Sequence, residues 1–244
     1  MKRLALLVTL SLAASAMPLY AADVYVKTNT HTDAMTMMNQ SVPARDDVVE
    51  TWIDGARMAT GSKDTTFIVD RDKGLAYIVN HRDRSYIETP LPFDLAKILP
   101  PEAVAMAPMM QMSATVTPTT ETKTIGAWEC TAYDVALTVA GMQINMRVWA
   151  STKVPFDTEA FSAKLLPVLV QAQLRVSPGS ASEFAKIKGY QIATETTGEM
   201  MGAKLHATTE VVEITPKAAP AGTFEPPAGY TKKATLSLQD LQRR

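Results

Sequence analysis

The sequence predicts a mainly β, α+β fold, a curved antiparallel sheet with helices on one face, and three observations carry that expectation. Residues 124–151 read as one long β-hairpin. In its second arm Met142, Ile144, Met146, Val148 and Ala150 alternate with Gln143, Asn145, Arg147 and Ser151, the period of two of a half-buried strand. Shorter strand patterns stand before and after it, and two segments of helical pattern separate these groups, the order expected of a sheet covered on one face.

The first strand lies in residues 23–34, where Val24, Val26, Thr28, Thr30 and Thr32 alternate with Tyr25, Lys27, Asn29, His31 and Asp33, a threonine-rich pattern with one solvated side. Residues 35–44 read as a connection or strand end punctuated by Pro43. Strand character resumes over 48–59 and contains Asp54-Gly55, a hairpin signal. Residues 65–69 and 75–79 flank Asp70-Arg71-Asp72-Lys73-Gly74 and form a further hairpin. Its D-x-D-x-G spacing has the glycine one residue early for an EF-hand and lacks the distal glutamate, so it reads as a turn. Another turn at 80–84 leads to a strand at 85–89.

At Pro90 the character changes. Residues 92–99 predict a short helix closed by Pro100-Pro101, and Pro101 suits the first turn of a second helix over 102–110. Polar, threonine-rich residues 111–124 return to extended chain. In the first hairpin arm Tyr133, Val135, Leu137 and Val139 share one side, Val139-Ala140-Gly141 makes the turn, and Trp149 is the large apolar residue of the outer face. Asp157 marks the start of a helix running to Leu174 that Pro167 kinks or divides. Ser180 to Glu183 carries a capping-box pattern, with Gly189 ending that helix. Residues 190–197 and 204–215 form a second hairpin, and 224–230 an extended segment anchored by Phe224 and Tyr230.

The 244 residues hold 24 Lys+Arg against 25 Asp+Glu without a basic stripe, which excludes the electrostatic footprint of a nucleic-acid binder. Residues 1–21 have the Lys2-Arg3, apolar run and small-residue end of a secretory signal; one domain is expected over 22–235 and a polar tail over 236–244. No stretch approaches the roughly 20 apolar residues of a membrane span, so the expectation is an exported, periplasmic chain. Cys130 is the only cysteine and reads as a buried small hydrophobe.

The order of Trp52-Ile53 with Arg57, Ile68-Val69-Asp70, Tyr86, Gly126-Ala127-Trp128-Glu129-Cys130 with Tyr133, Trp149-Ala150-Ser151, Lys188-Gly189-Tyr190 and the closing 224–230 segment resembles an exported bacterial family. That family's uncharacterised domain is similar to the LolA/LolB lipoprotein-carrier fold. The resemblance implies an incomplete β-barrel whose concave face, closed by helices, holds an apolar cavity for acyl chains. Its lining would come from Met142, Ile144, Met146 and Val148 of the central hairpin, Val104, Met106, Met109 and Met110 of the first helical insertion, and Phe161, Leu165 and Leu169 of the second. A lipid or other apolar ligand is the expected partner, an envelope protein the alternative, and no cofactor is expected.

Methionine is the compositional oddity, with twelve of the 14 beyond the leader. Clustered methionines suit core filling, an adaptable apolar pocket or soft Cu(I) ligation, for which Met106, Met109, Met110 and Met112 have suitable spacing. His31, His81 and His206 are far apart in sequence and read as surface residues. Asp134 is expected to pair with Arg57 or Arg147. No nucleophile elbow, paired carboxylates in apolar surroundings, phosphate loop or zinc spacing occurs, so catalysis is not expected.

Overall fold

Fourteen strands and a few short helices make up the computed structural model, which describes residues 23–37, 40–139, 141–200 and 202–237. The leader, Met38, Met201 and residues 238–244 of the expected tail lie outside them. Strands β1 (Val24–Thr32), β4 (Arg45–Asp54), β5 (Arg57–Gly61), β6 (Thr65–Asp70), β7 (Leu75–Asn80) and β8 (Ser85–Pro90) are joined by short turns; β2 (Met35–Met37) and β3 (Gln40–Val42) form a separate small hairpin at the far end of β1 and β4. After the first insertion come β9 (Ser113–Ile125), β10 (Trp128–Val139) and β11 (Met142–Ser151); after the second come β12 (Tyr190–Met200), β13 (Ala203–Pro216) and the short β14 (Thr231–Lys233).

All but β2 and β3 belong to one twelve-stranded sheet in the order β14-β8-β7-β6-β5-β4-β1-β13-β12-β11-β10-β9. Two meanders thus run outward from β1, which pairs with β4 on one side and β13 on the other. The pairings are antiparallel except β14 against β8. The sheet does not close, because β9 and β14 are its separate edges.

The central hairpin is as expected: Val148 faces Tyr133, Met146 faces Val135 and Ile144 faces Leu137, with Gly141 at φ +80° in the turn. Trp149 is buried although it points outward, because the Lys123 ammonium lies 4.1 Å and the Arg147 guanidinium 5.4 Å from its ring centre, a cation–π cover. Asp134 pairs with Arg147 at 2.6 Å, not with Arg57. Cys130 is buried, and desolvation pushes its thiol pKa up, the opposite of what a reactive thiol needs.

Both faces of β5, β6 and β7 are covered. Met58, Phe67, Val69, Ala76 and Ile78 join the main apolar core on the helical side, while Ala59, Ile68, Tyr77 and Val79 pack under Phe224 on the other. The proline-rich segment after β13 makes that second layer. It is tied down by Ala219 N–H donating to Asp23 Oδ2 at 2.7 Å, by Arg57 lying 4.5 Å over the Phe224 ring, and by the Tyr230 hydroxyl 3.0 Å from His81 Nδ1. Asp70 is almost fully buried and accepts from Lys73 N–H at 2.9 Å, so the D-x-D-x-G stretch is a side-chain-capped turn. Leu236, placed by the sequence at the start of the tail, is instead buried, its N–H donating to Ile98 O at 2.7 Å; an apolar side chain within reach of the core buries there in preference to fraying.

Candidate functional site

The inner face of the sheet is covered by two insertions. The first, between β8 and β9, is shorter in helix than the sequence predicts. Asp94 caps a single 3₁₀ turn at Leu95–Lys97 by accepting from Ala96 N–H at 3.0 Å. Pro101–Met106 is a longer 3₁₀ stretch continued by α1 (Ala107–Met110). Ala103 and Ala107 turn inward, and Val104 and Met106, expected to face the interior, are 41% and 54% exposed.

The second insertion follows the sequence more closely. Asp157 Oδ1 accepts from Glu159 and Ala160 N–H at 3.0 and 2.9 Å and starts α2 (Thr158–Lys164); α3 (Leu166–Gln173) begins beside Pro167, which divides the predicted helix. The capping box is not at Ser180. Ser177 is the cap of α4 (Pro178–Ala181), with Pro178 in the first turn, and Ser182–Lys186 is a 3₁₀ turn. Freed from capping, Glu183 accepts from Val116 N–H at 3.0 Å and Lys186 Nζ donates to Val116 O at 3.4 Å. These two side chains satisfy both backbone groups of Val116 on the open side of edge strand β9, a local remedy for an unpaired edge.

Beneath this cover Val148 and Leu165 have no solvent-accessible surface, and Phe161 is buried with them. Met110, Ile144, Met146 and Leu169 are partly buried against the same cluster. Met142 is half-buried near the hairpin tip; the side chain of Met109 lies outside the described residues. The structure therefore brings Val148, Phe161 and Leu165 together with Met110, Ile144, Met146 and Leu169 and leaves Val104 and Met106 outside. The proposed thioether set is divided as well, Met110 and Met112 packing on the core while Met106 faces solvent.

A seam joins the insertions. Met112 N–H donates to Arg175 O and Ser177 N–H to Met112 O, both at 2.9 Å, the two bonds of a one-residue parallel bridge between Met112 and Val176. Beside it a cleft of about 320 Å³ opens between the insertions, with Phe93, Asp94, Leu95 and Lys97 on one side and Gln171 and Arg175 on the other. Neither Arg175 nor this cleft is among the residues the sequence nominates. The legible sign is small: an arginine directly after a long apolar helix, where lysine or arginine ordinarily serves the last carbonyls.

At the far end of β1 two histidines that are 175 positions apart by number are joined. His31 Nδ1 lies 2.7 Å from Asp46 Oδ1 and its Nε2 3.0 Å from Asp33 Oδ1; Asp33 Oδ2 lies 2.9 Å from His206 Nδ1, whose Nε2 is 3.3 Å from Glu195. Asp46 chiefly raises the His31 pKa above its ordinary 6.5, Asp33 chiefly raises that of His206, and His206 chiefly lowers that of Asp33. Histidines with raised values contribute stability that is complete below about pH 6.5 and lost as pH climbs through the raised values. Asp33 contributes above its ordinary range and loses this as pH falls through its lowered value. In Asp33→Asn both histidines should titrate at lower pH, His206 by more than His31, since Asp33 is the chief cause of the rise at His206 and only a lesser one at His31; ring-proton NMR titration reads this, and equal shifts would refute the assignment of causes. Among the described residues no group of three or more His, Cys, Asp or Glu is arranged to hold a metal ion.

Fold and site together define a mainly β protein with an open antiparallel sheet and a short-helix cover, in which no described helix is long and apolar enough to cross a membrane. No protein-family model and no curated protein matches the sequence. Among solved structures the chain is similar to one titled "Structure of PNGF-II in C2 space group", at 10% identity and a TM-score of 0.41 over 89% of this chain and 32% of that one. The chain thus spans about a third of that structure's length.

Proposed function

We propose that the chain is a non-catalytic carrier or binding module that shelters an apolar ligand, such as an acyl chain, between the inner face of its sheet and the helical cover. The observation that carries the reading is the construction of that cover. It consists of short helical pieces from two insertions, laid over an apolar sheet face and joined backbone to backbone by a one-residue bridge; on this reading that seam parts while the sheet stays paired. The setting we infer is the periplasm, reached through the leader at residues 1–21. Sheltering the ligand's chain would draw on buried apolar surface, about 0.8 kcal/mol for each methylene removed from water.

Val148 and Leu165 are sealed in the closed form, so ligand entry requires the cover to lift. The same sealing supports a second reading, an envelope protein-interaction module whose core is filled by its own side chains. Native mass spectrometry of protein purified without detergent, with displacement of a fluorescent apolar probe by fatty acids, decides between them. A lipid-sized bound mass and competitive displacement are the expected results. An unliganded mass together with no probe uptake would overturn the carrier reading.

A further inference from the structure

We propose that Arg175 anchors the carboxylate of an amphiphilic ligand at the seam between the two insertions, with the ligand's apolar chain directed beneath the cover. This rests on the apolar-ligand reading above and gives it a ligand class, carboxylate-bearing amphiphiles.

The first support is an unmet charge. Arg45, Arg57, Arg82 and Arg147 each pair with a carboxylate, Arg71 donates to the Lys164 carbonyl at 3.0 Å, and Arg84 lies over the Tyr230 ring. Arg175 alone among the described arginines has no such side-chain partner. It is half-buried, and desolvation with no compensating charge lowers its pKa. A partly dehydrated guanidinium is stabilised by an anion that meets its planar fork with two oxygens, and a carboxylate has that geometry.

The second support is backbone conformation. Arg175 follows the C-terminus of α3 at φ +53°, a left-handed position that glycine fills without strain. Turn geometry therefore gives no reason for an arginine here.

The third is the surroundings. Lys97 adds a second cation to the rim, whereas the carboxylate of Asp94 is already engaged in capping Ala96 N–H. Phe93, Leu95 and Val176, which line the cleft, belong to the same buried cluster as Val148 and Leu165. A chain whose head sits at Arg175 therefore meets the core as soon as the Met112–Val176 bridge parts.

The test is competition of decanoate and 1-decanol for a fluorescent apolar probe on the mature full chain, in wild type, Arg175→Lys and Arg175→Gly. Wild type should bind decanoate at least tenfold more tightly than decanol. Arg175→Gly should bind the two alike, with a Tm at or above wild type because the glycine relieves the left-handed position, so that lost preference is not misfolding. Arg175→Lys should keep part of the preference. Equal binding of acid and alcohol by wild type, or a preference that survives in Arg175→Gly, would overturn the role of Arg175 and leave the apolar-ligand reading standing. Binding of neither ligand by any form would overturn both.

Discussion

Gly189→Ala is expected to destabilise the protein by about 3 kcal/mol or more, more than a strained turn alone would cost. Gly189 lies at the point where the second insertion returns to the sheet, at φ +101°. A Cβ there would stand 2.4 Å from both the carbonyl carbon and oxygen of Ser151 and 2.8 Å from Thr152 N. All three are backbone atoms at the end of β11, so no side-chain rotation makes room. Its neighbours are fixed too: Lys188 N–H donates to the Tyr133 hydroxyl at 3.1 Å, and Tyr190 pairs with Ser151. The control is Gly141→Ala, where φ is +80° but a Cβ would meet nothing within 4 Å; it should cost only the left-handed penalty, about 1–2 kcal/mol. Urea denaturation followed by circular dichroism measures both. Equal losses would mean that the close approach to Ser151 is relieved cheaply and that the insertion is not pinned there.

Gly189 also illustrates what the sequence makes legible. A glycine after a short helical pattern is read as a helix end, yet here the helix ends earlier, at Lys186, and the glycine is required by a strand 38 residues before it. Period-two alternation predicts the β10–β11 hairpin and the inward set from Met142 to Val148 because a half-buried strand writes its pattern locally. Asp157 and Pro167 predict the division of the second insertion for the same reason. The failures are non-local. The serine cap moves to Ser177 because Pro178 suits the first helical turn, which releases Glu183 to reach Val116, 67 residues away. Val104 and Met106 turn outward because Ala103 and Ala107 take the buried positions of their segment, a choice between two apolar faces that depends on the sheet beneath. The pairing of His31 with His206 through Asp33 depends on β1 lying beside β13, and no local pattern records that adjacency. Arg175 is hidden differently: its distinction is the lack of a partner, which only the packed structure reveals.

Phe184→Ala should cost about 3–5 kcal/mol, the usual range for emptying a buried phenylalanine site, and where the loss falls tests how the cover works. Phe184 is 1% exposed and is the largest of the fully buried side chains. It sits in the 3₁₀ turn that presents Glu183 and Lys186 to β9, so it holds the second insertion against the sheet edge from inside while the hydrogen bonds of Glu183 and Lys186 to Val116 hold it from outside. A carrier whose cover lifts needs that cover to be less stable than the sheet it closes, since mobile elements are drawn from the weaker cooperative units of a fold. Amide hydrogen exchange on the variant should therefore show protection falling first across residues 158–187, with β6 and β7 retaining theirs under conditions that still favour the folded sheet. Uptake of an apolar probe should rise in the same variant, because part of the work of opening has been removed. If protection instead falls equally in the cover and in β6 and β7, cover and sheet unfold as one unit. In that case the sealed contacts of Val148 and Leu165 are a permanent core, and the interaction-module reading becomes the better account of the protein.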